Sequence, residues 1–428
     1  MNIKTNKTII SILRNLCDKI QYGYTASAKN TEIGPKFLRI TDIVPDYITW
    51  ENVPFCEMND KDIEKYLLED GDIVIARTGA TTGYAKYIKK PSKSVFASYL
   101  IRLKPKDGIS KRYIGFVVES DEYKRFIHSN IGGAAQPNAN AQILTSYPVT
   151  LPSFLNQQKI ASILSAYDDL IENNLRRIKI LEKMAQMIYR EWFVNFRFPG
   201  HEKVKMVKSE LGMIPEGWMR MTLRDVLESL ESGSRPKGGI NPNEKAVPSI
   251  GAENILGLGK YDYDKEKYIS QEFFDKMRRG KIQSGDVLLY KDGASQGRKS
   301  LFRDGFPHEI CCINEHVFIL RTNNRCSPNY LYFWLDLPEM TQNIINLNAN
   351  AAQPGINQKG VQGLPVLLPP MSLINAFENI AEPLLSLLFN LSKKNSFLRK
   401  TRDLLLPKLI SGEIDVANMD IKASHENN

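Results

Sequence analysis

Cysteine is scarce in this chain and poorly placed for chemistry. The five cysteines, Cys17, Cys56, Cys311, Cys312 and Cys326, are odd in number and form no CxxC pair. That argues against a disulfide framework or a zinc site and fits a reducing compartment. Histidine is equally sparse. His128, His201, His308, His316 and His425 fall at no metal-ligand spacing and read as surface or core residues. No apolar run approaches the roughly 18 residues of a membrane span, and the opening MNIKTNKTII is too polar for a secretory signal. A soluble cytoplasmic protein without membrane association is expected. Motifs of catalysis are missing too. There is no GxxxxGK(S/T) for nucleotide hydrolysis, no GxGxxG after a strand, and no Asn-Pro-Pro-aromatic or Asp-Pro-Pro-aromatic tetrad of amino-methyltransferases. Carboxylates are plentiful, but no pair stands out as an acid–base or nuclease site.

What is present begins with charge. The 428 residues carry a formal net charge of +9, which suits a polyanionic partner. Hydrophobic content of 42% and charged content of 25% are those of an ordinary globular protein, and the length predicts two to four domains.

The strongest pattern is a heptad seam. Steps of four and three from Ile160 reach Leu164, Tyr167, Ile171, Asn174, Ile178, Leu181, Ala185, Ile188 and Trp192, all apolar or aromatic except Asn174. Such spacing predicts a helix packed lengthwise on another, with the buried Asn fixing register. From Ile160 to Trp192 the rod would be roughly 50 Å long. Adding 220 gives a second seam, Ile380, Leu384, Leu387, Leu391, Lys394, Leu398, Thr401 and Leu405, with Lys394 where Asn174 sat. Pro383 is expected in the first turn of this partner helix and Pro407 at its end or at a kink.

The rest of the chain repeats around these helices. Gln21-Tyr-Gly-Tyr-Thr matches Glu231-Ser-Gly-Ser-Arg at a step of 210, and Arg39-Ile-Thr-Asp-Ile matches Gly251-Ala-Glu-Asn-Ile at 212. Gly71, Asp72, Gly79, Ala80 and Gly83 return at 214 as Gly285, Asp286, Gly293, Ala294 and Gly297. AAQPNAN (134–140) returns as AAQPGIN (351–357) at 217. One duplicated unit, in the order domain, helix, domain, helix, explains the steady drift. Within the first copy, strands are expected at FLRI (37–40), GDIVIA (71–76), SVFASYLIRL (94–103) and YPVTLP (147–152), and helices at Asn6–Asp18 and Lys111–Ser129. Two long repeats without a catalytic motif in either argue for a reader rather than an enzyme.

The matched loops supply candidate contacts. The Gly-rich turns read first as structural turns whose glycines take positive φ. Arg77, Thr81, Thr82, Lys291, Ser295, Gln296 and Arg298 lie on or beside them, within reach of phosphates or base edges. The loop SGSRPKGG (232–239) carries Ser234, Arg235 and Lys237, the ingredients of a phosphate or groove contact. Its counterpart QYGYTASAKN (21–30) offers Tyr22, Tyr24, Thr25, Ser27 and Lys29. The AAQP loops present Gln136 with Asn138, and Gln353 with Asn357. Gln and Asn can bond adenine bidentately, but their recurrence equally suits a fixed loop conformation.

The run KMAQMIYREWFVNFRFPG (183–200), with SELGMIPEGWMRMTLRDV (209–226), resembles the junction after the central helix of specificity subunits of type I restriction–modification systems. LRKTRDLLLPKLISGEIDV (398–416) resembles the end of that family's distal helix, and LPxxxNQQKIASIL (151–164) the start of its central one. With the repeat order, the resemblance spans nearly the whole chain. It implies an α+β, pseudo-two-fold chain: two mixed α/β target-recognition domains separated by two long antiparallel coiled-coil helices. The boundaries are then 1–153 and, with its linker, 201–370 for the recognition domains, 154–200 and 371–412 for the spacer helices, and 413–428 for a polar tail.

The resemblance further implies a non-catalytic subunit that reads a bipartite, gapped sequence in double-stranded DNA, the helix pair setting the gap. It implies docking of two methyltransferase subunits and, through them, restriction subunits. S-adenosylmethionine, ATP and Mg would reside in those partners, with no cofactor or metal in this chain. Tyr189, Trp192 and Phe193 are candidate docking residues, with simple packing against the following domain as the other reading. Two alternatives remain: a stand-alone modifying or restriction enzyme with an unrecognised active site, and a coiled-coil adaptor that does not touch DNA.

Overall fold

The computed structural model describes residues 9–131, 138–210, 212–236, 246–293, 296–347 and 355–422. The chain forms two compact units, one from residues 1–172 with 398–428, the other Asn173–Phe397. In the first unit the strands are β1 (Ile9–Ile12), β2 (Cys17–Tyr22), β3 (Lys36–Leu38), β4 (Ile73–Ala76), β5 (Ala85–Tyr87), β6 (Ser94–Phe96), β7 (Leu100–Pro105) and β8 (Pro148–Leu151). An antiparallel sheet runs β2-β7-β4-β5, while β3 pairs in parallel with β6 and β1 pairs antiparallel with β8. The four residues of β4 are all buried, so this apolar run lacks a solvent face.

The second unit repeats this plan. A hairpin of β9 (Met206–Ser209) and β10 (Gly212–Pro215) leads into β11 (Met219–Thr222), β12 (Leu227–Ser232), β13 (Val247–Ile250), β14 (Lys267–Ile269), β15 (Asp286–Tyr290), β16 (Lys299–Phe302), β17 (Cys312–Ile313), β18 (Val317–Thr322) and β19 (Pro365–Leu368). Its main sheet runs β12-β18-β15-β16, β13 pairs in parallel with β17, and β11 pairs with β19. These are the counterparts of β2-β7-β4-β5, β3-β6 and β1-β8.

The duplication reaches single hydrogen bonds. Gly71, Gly79 and Gly83 and their equivalents Gly285, Gly293 and Gly297 all have positive φ, between 69° and 92°. A side chain at these positions would be strained, which is why the glycines recur. Asp72 accepts the Glu69 N–H at 2.9 Å and pairs with buried Arg102 at 3.3 Å. Asp286 accepts the Gln283 N–H at 2.7 Å and pairs with Arg321 at 2.8 Å. Burial pushes both carboxyls upward, opposed by those donors. The Tyr113 hydroxyl donates to the Thr150 carbonyl and the Tyr330 hydroxyl to that of Leu367, tying a helix to the last strand in each copy.

Three local expectations need correction. Asn6–Asp18 is not a helix: Ile9–Ile12 form β1, Leu13–Leu16 a single 3-10 turn, and Cys17 opens β2, residues 6–8 lying outside the described ones. The β-branched Ile9, Ile10 and Ile12 find a strand partner 140 residues away in β8, which local periodicity cannot reveal. SVFASYLIRL divides into two strands because a turn at Ser98–Tyr99, closed by Leu100 N–H on Ala97 O at 2.8 Å, separates β6 from β7. Lys111–Ser129 breaks into helices Lys111–Glu119 and Asp121–Asn130, with the Ser120 hydroxyl capping the second through Tyr123 N–H.

The central helix spans Phe154–Phe193 and the distal helix Met371–Ser411, 40 and 41 residues, each about 60 Å. They run antiparallel within each unit. In the first, Lys159 Nζ donates to the carbonyls of Val416, Ala417 and Met419 at 2.8–3.2 Å, and Asp168 pairs with Arg402 at 2.7 Å. In the second, Asn174 Nδ2 donates to Asn395 Oδ1 at 2.8 Å, and Tyr189 packs on Phe377.

That asparagine pair corrects the distal seam. The step between the helices is 221, not 220, so Asn395 is buried opposite Asn174 and Lys394 is exposed. Ala381, Leu385 and Leu388 are buried in place of Ile380, Leu384 and Leu387; Leu391 is buried as expected, Leu398 and Leu405 half-buried. In the central helix Ile160, Leu164, Ile171, Asn174, Ile178, Leu181 and Ala185 are buried and Tyr167 half-buried. Its seam then moves one residue, burying Tyr189 and Phe193 and leaving Ile188 and Trp192 half-buried. Pro383 and Pro407 both lie inside the distal helix. Buried Ala381, Leu385 and Leu388 hold the turns around Pro383, so packing outweighs the lost backbone donor.

Candidate nucleic-acid interface

In each unit the end of the strand after the Gly-Asp turn, the residue just before β7 or β18 and the segment after the AAQP loop meet on one backbone frame. In the first unit Arg77 N–H donates to Tyr99 O at 3.0 Å, and Ala139 N–H to Arg77 O at 2.8 Å. In the second Lys291 N–H donates to His316 O at 3.1 Å, and Ile356 N–H to Lys291 O at 3.0 Å. Three segments far apart in sequence are thereby fixed at one place in each copy.

On the first frame the Arg77 guanidinium lies 5.0 Å from the Tyr22 ring centroid and donates to Asn138 Oδ1 at 3.3 Å. The Tyr22 hydroxyl accepts from Ala141 N–H at 3.0 Å. Tyr22, Arg77 and Asn138, predicted from three separate motifs, therefore form one cluster beside exposed Tyr99. Arg77 Nε is buried without a hydrogen-bond partner among the described residues. Tyr24 is held by backbone bonds to Phe96 and Ser98 and packs on Tyr66. Thr25 and Ser27 are exposed, and Lys29 pairs loosely with Glu57 at 3.8 Å. Thr81 is half-buried. Thr82 is a correction: it is fully buried and its hydroxyl donates to Gly79 O at 2.7 Å, closing the turn, so it presents nothing to a ligand.

On the second frame Lys291 Nζ sits 4.8 Å from the Phe318 ring centroid. Arg235 is exposed and paired with Glu315 at 2.7 Å, Ser234 and Arg298 are exposed, and Gln296 Nε2 donates to Ile345 O at 3.4 Å. Asn357 accepts from Gly360 N–H at 2.8 Å and Asn140 from Ile143 N–H at 2.9 Å, each capping a short helix. This identical capping favours the fixed-conformation reading of that asparagine. Gln136, Lys237, Ser295 and Gln353 lie outside the described residues.

Sequence reading missed Tyr99, Asp292, Glu315 and His316. His316 Nδ1 bonds Asp292 Oδ2 at 2.7 Å, and its Nε2 lies 3.4 Å from Glu315 Oε1. The signal was available, since the step of 217 maps Tyr99 onto His316. Docking through Tyr189 and Phe193 also fails, because both are interior side chains of the second unit, while Trp192 is half-buried against Phe193 and Phe377.

With no described carboxylate paired to it, Arg77 is the free cation of the first cluster. Arg77→Ala should weaken DNA binding and lower the slope of log K against log salt by about one unit. A titration between low and physiological salt measures this, and an unchanged slope would remove Arg77 from the phosphate contacts.

No helix among the described residues is long and apolar enough to cross a membrane, and no group of three or more His, Cys, Asp or Glu among them could hold a metal ion. A family model described as the type I restriction modification DNA specificity domain matches residues 2–183 and 215–387. The specificity subunit of the type I restriction enzyme MjaIX from Methanocaldococcus jannaschii is 25% identical over 353 residues, covering 81% of this chain and 78% of that protein. The putative MjaX specificity subunit of the same organism is 24% identical, covering 94% and 93%. The EcoKI specificity subunit of Escherichia coli is 21% identical, covering 82% and 76%. In fold, the chain is similar to the crystal structure of a type I restriction–modification S subunit from M. genitalium, with TM-score 0.56, 17% identity, and coverage of 96% and 98%.

Proposed function

Because this chain belongs to the type I restriction–modification DNA specificity family, we propose that it reads the two halves of a gapped DNA target with its two repeated units. The observation that carries this reading is the duplicated backbone frame with Arg77 on one copy and Lys291 on the other. Duplication gives one chain two equivalent reading faces, and two equivalent surfaces for two identical partners. On this proposal the chain is non-catalytic and cytoplasmic and docks two methyltransferase subunits, which recruit restriction subunits. S-adenosylmethionine, ATP and Mg belong to those partners.

On this proposal the docking surface lies on exposed positions of the central helix. Ile180, Met184 and Met187, at helical spacing on the central helix, are 58%, 44% and 57% exposed. An exposed apolar stripe of this kind is what an obligate partner covers.

Methylation mapping tests the reading, comparing cells that carry this chain and its methyltransferase subunit with cells lacking only this chain. One asymmetric, gapped adenine-methylated motif is expected in the first and none in the second. Unchanged methylation with an assembled complex would favour the adaptor alternative, and methylation by this chain alone would make it an enzyme.

A further inference from the structure

The two units present different hydrogen-bonding chemistry on the same frame. The first shows Arg77, Tyr99, Tyr22 and Asn138, with Thr78 and Ser98 beside them and, among the described residues, no carboxylate paired with them. At the positions equivalent to Thr78, Ser98 and Tyr99 the second carries Asp292, Glu315 and His316.

These carboxylates are held in place. His316 Nδ1 bonds Asp292 Oδ2 at 2.7 Å, and Arg235 Nε bonds Glu315 Oε1 at 2.7 Å. Gly355, where the first unit has Asn138, keeps the approach open, since a Cβ there would lie 2.8 Å from Asp292 Oδ1. Both carboxylates remain partly exposed, Glu315 at 31% and Asp292 at 29% of the side-chain surface.

A carboxylate facing DNA is repelled by the phosphates, so it weakens indiscriminate binding. It gains only where a base edge offers a donor, and the donor best matched to Asp or Glu in the major groove is the cytosine N4 amino group. We propose that Glu315 and Asp292 are specificity-determining residues of the second unit, held by Arg235 and His316 to accept the amino group of a cytosine in the second half-site. The inference rests on the DNA-recognition reading above.

The test maps the methylated motif for the wild-type complex and for Glu315→Gln and Asp292→Asn. In at least one variant, one G·C position in one half-site should lose its preference by about tenfold or more and admit A·T, since an amide reads adenine. The other half-site should not change. An unchanged motif in both variants, relaxation at an A·T position, or relaxation in both halves would overturn the assignment. Where a variant abolishes methylation, the purified complex is used to select DNA from a library randomised in one half-site. A relaxed G·C position then supports the proposal, and an unaltered preference or no binding by a folded complex overturns it. If the wild-type complex itself yields no gapped motif, the recognition reading fails rather than the choice of residues.

Discussion

Phe193→Ala should lower the stability of the second unit by about 3–5 kcal/mol, the cost of removing a buried aromatic whose neighbours cannot collapse into the space. Phe193 is 1% exposed and lies at the hub of a ring cluster. Its centroid is 4.9 Å from Tyr189, 4.9 Å from Tyr330, 5.2 Å from Phe377 and 6.1 Å from Trp218. These rings come from the central helix, the domain and the distal helix, so the cavity would sit where three elements join. Urea unfolding followed by tryptophan fluorescence reads the effect, since Trp192 and Trp218 both touch Phe193. A loss under about 1 kcal/mol would mean that the cluster repacks and is not the anchor of the unit. Trp192→Ala should cost less than Phe193→Ala, because Trp192 is only half-buried.

The second large effect concerns specificity. Both helices pass from one unit to the other, the central one at Glu172/Asn173 and the distal one at Phe397/Leu398. Inserting one heptad at each of these points keeps the 4-3 phase of the seam and leaves every contact within each unit intact. Seven residues add about 10 Å of helix, or up to about three base pairs at ~3.4 Å rise. The motif methylated by the lengthened complex should therefore have the same two half-sites and a longer gap. An unchanged gap would refute the spacer role of the helix pair. Inserting four residues instead breaks the phase and should cost assembly as well as specificity.

Much of this molecule was legible as pattern. The 4-3 spacing from Ile160 to Ala185 and the drift of the repeat are consequences of periodicity and duplication, both properties of the linear chain. The glycines at 71, 79, 83, 285, 293 and 297 were readable for the same reason, because only glycine takes their positive φ freely. Arg77 and Tyr22 were found as types suited to DNA, although nothing in the linear order said that they stack on each other.

What the chain could not disclose by itself is what depends on a distant partner. Ile9–Ile12 became a strand because β8 was there to pair with it. Pro383 stayed within a helix because packing on either side held the turn. Asn174 took Asn395 rather than Lys394, a register of one residue that only side-chain packing between helices sets. Tyr189 and Phe193 were turned inward for the same reason, and Asp292, Glu315 and His316 became a cluster only when strand ends and loops met. Sequence alone determined the repeat, the helix pair and the family, since local periodicity and duplicated motifs encode them. Tertiary structure decided which face of each helix is buried and which side chains share a reading surface, since those follow from non-local contacts that no short window of sequence contains.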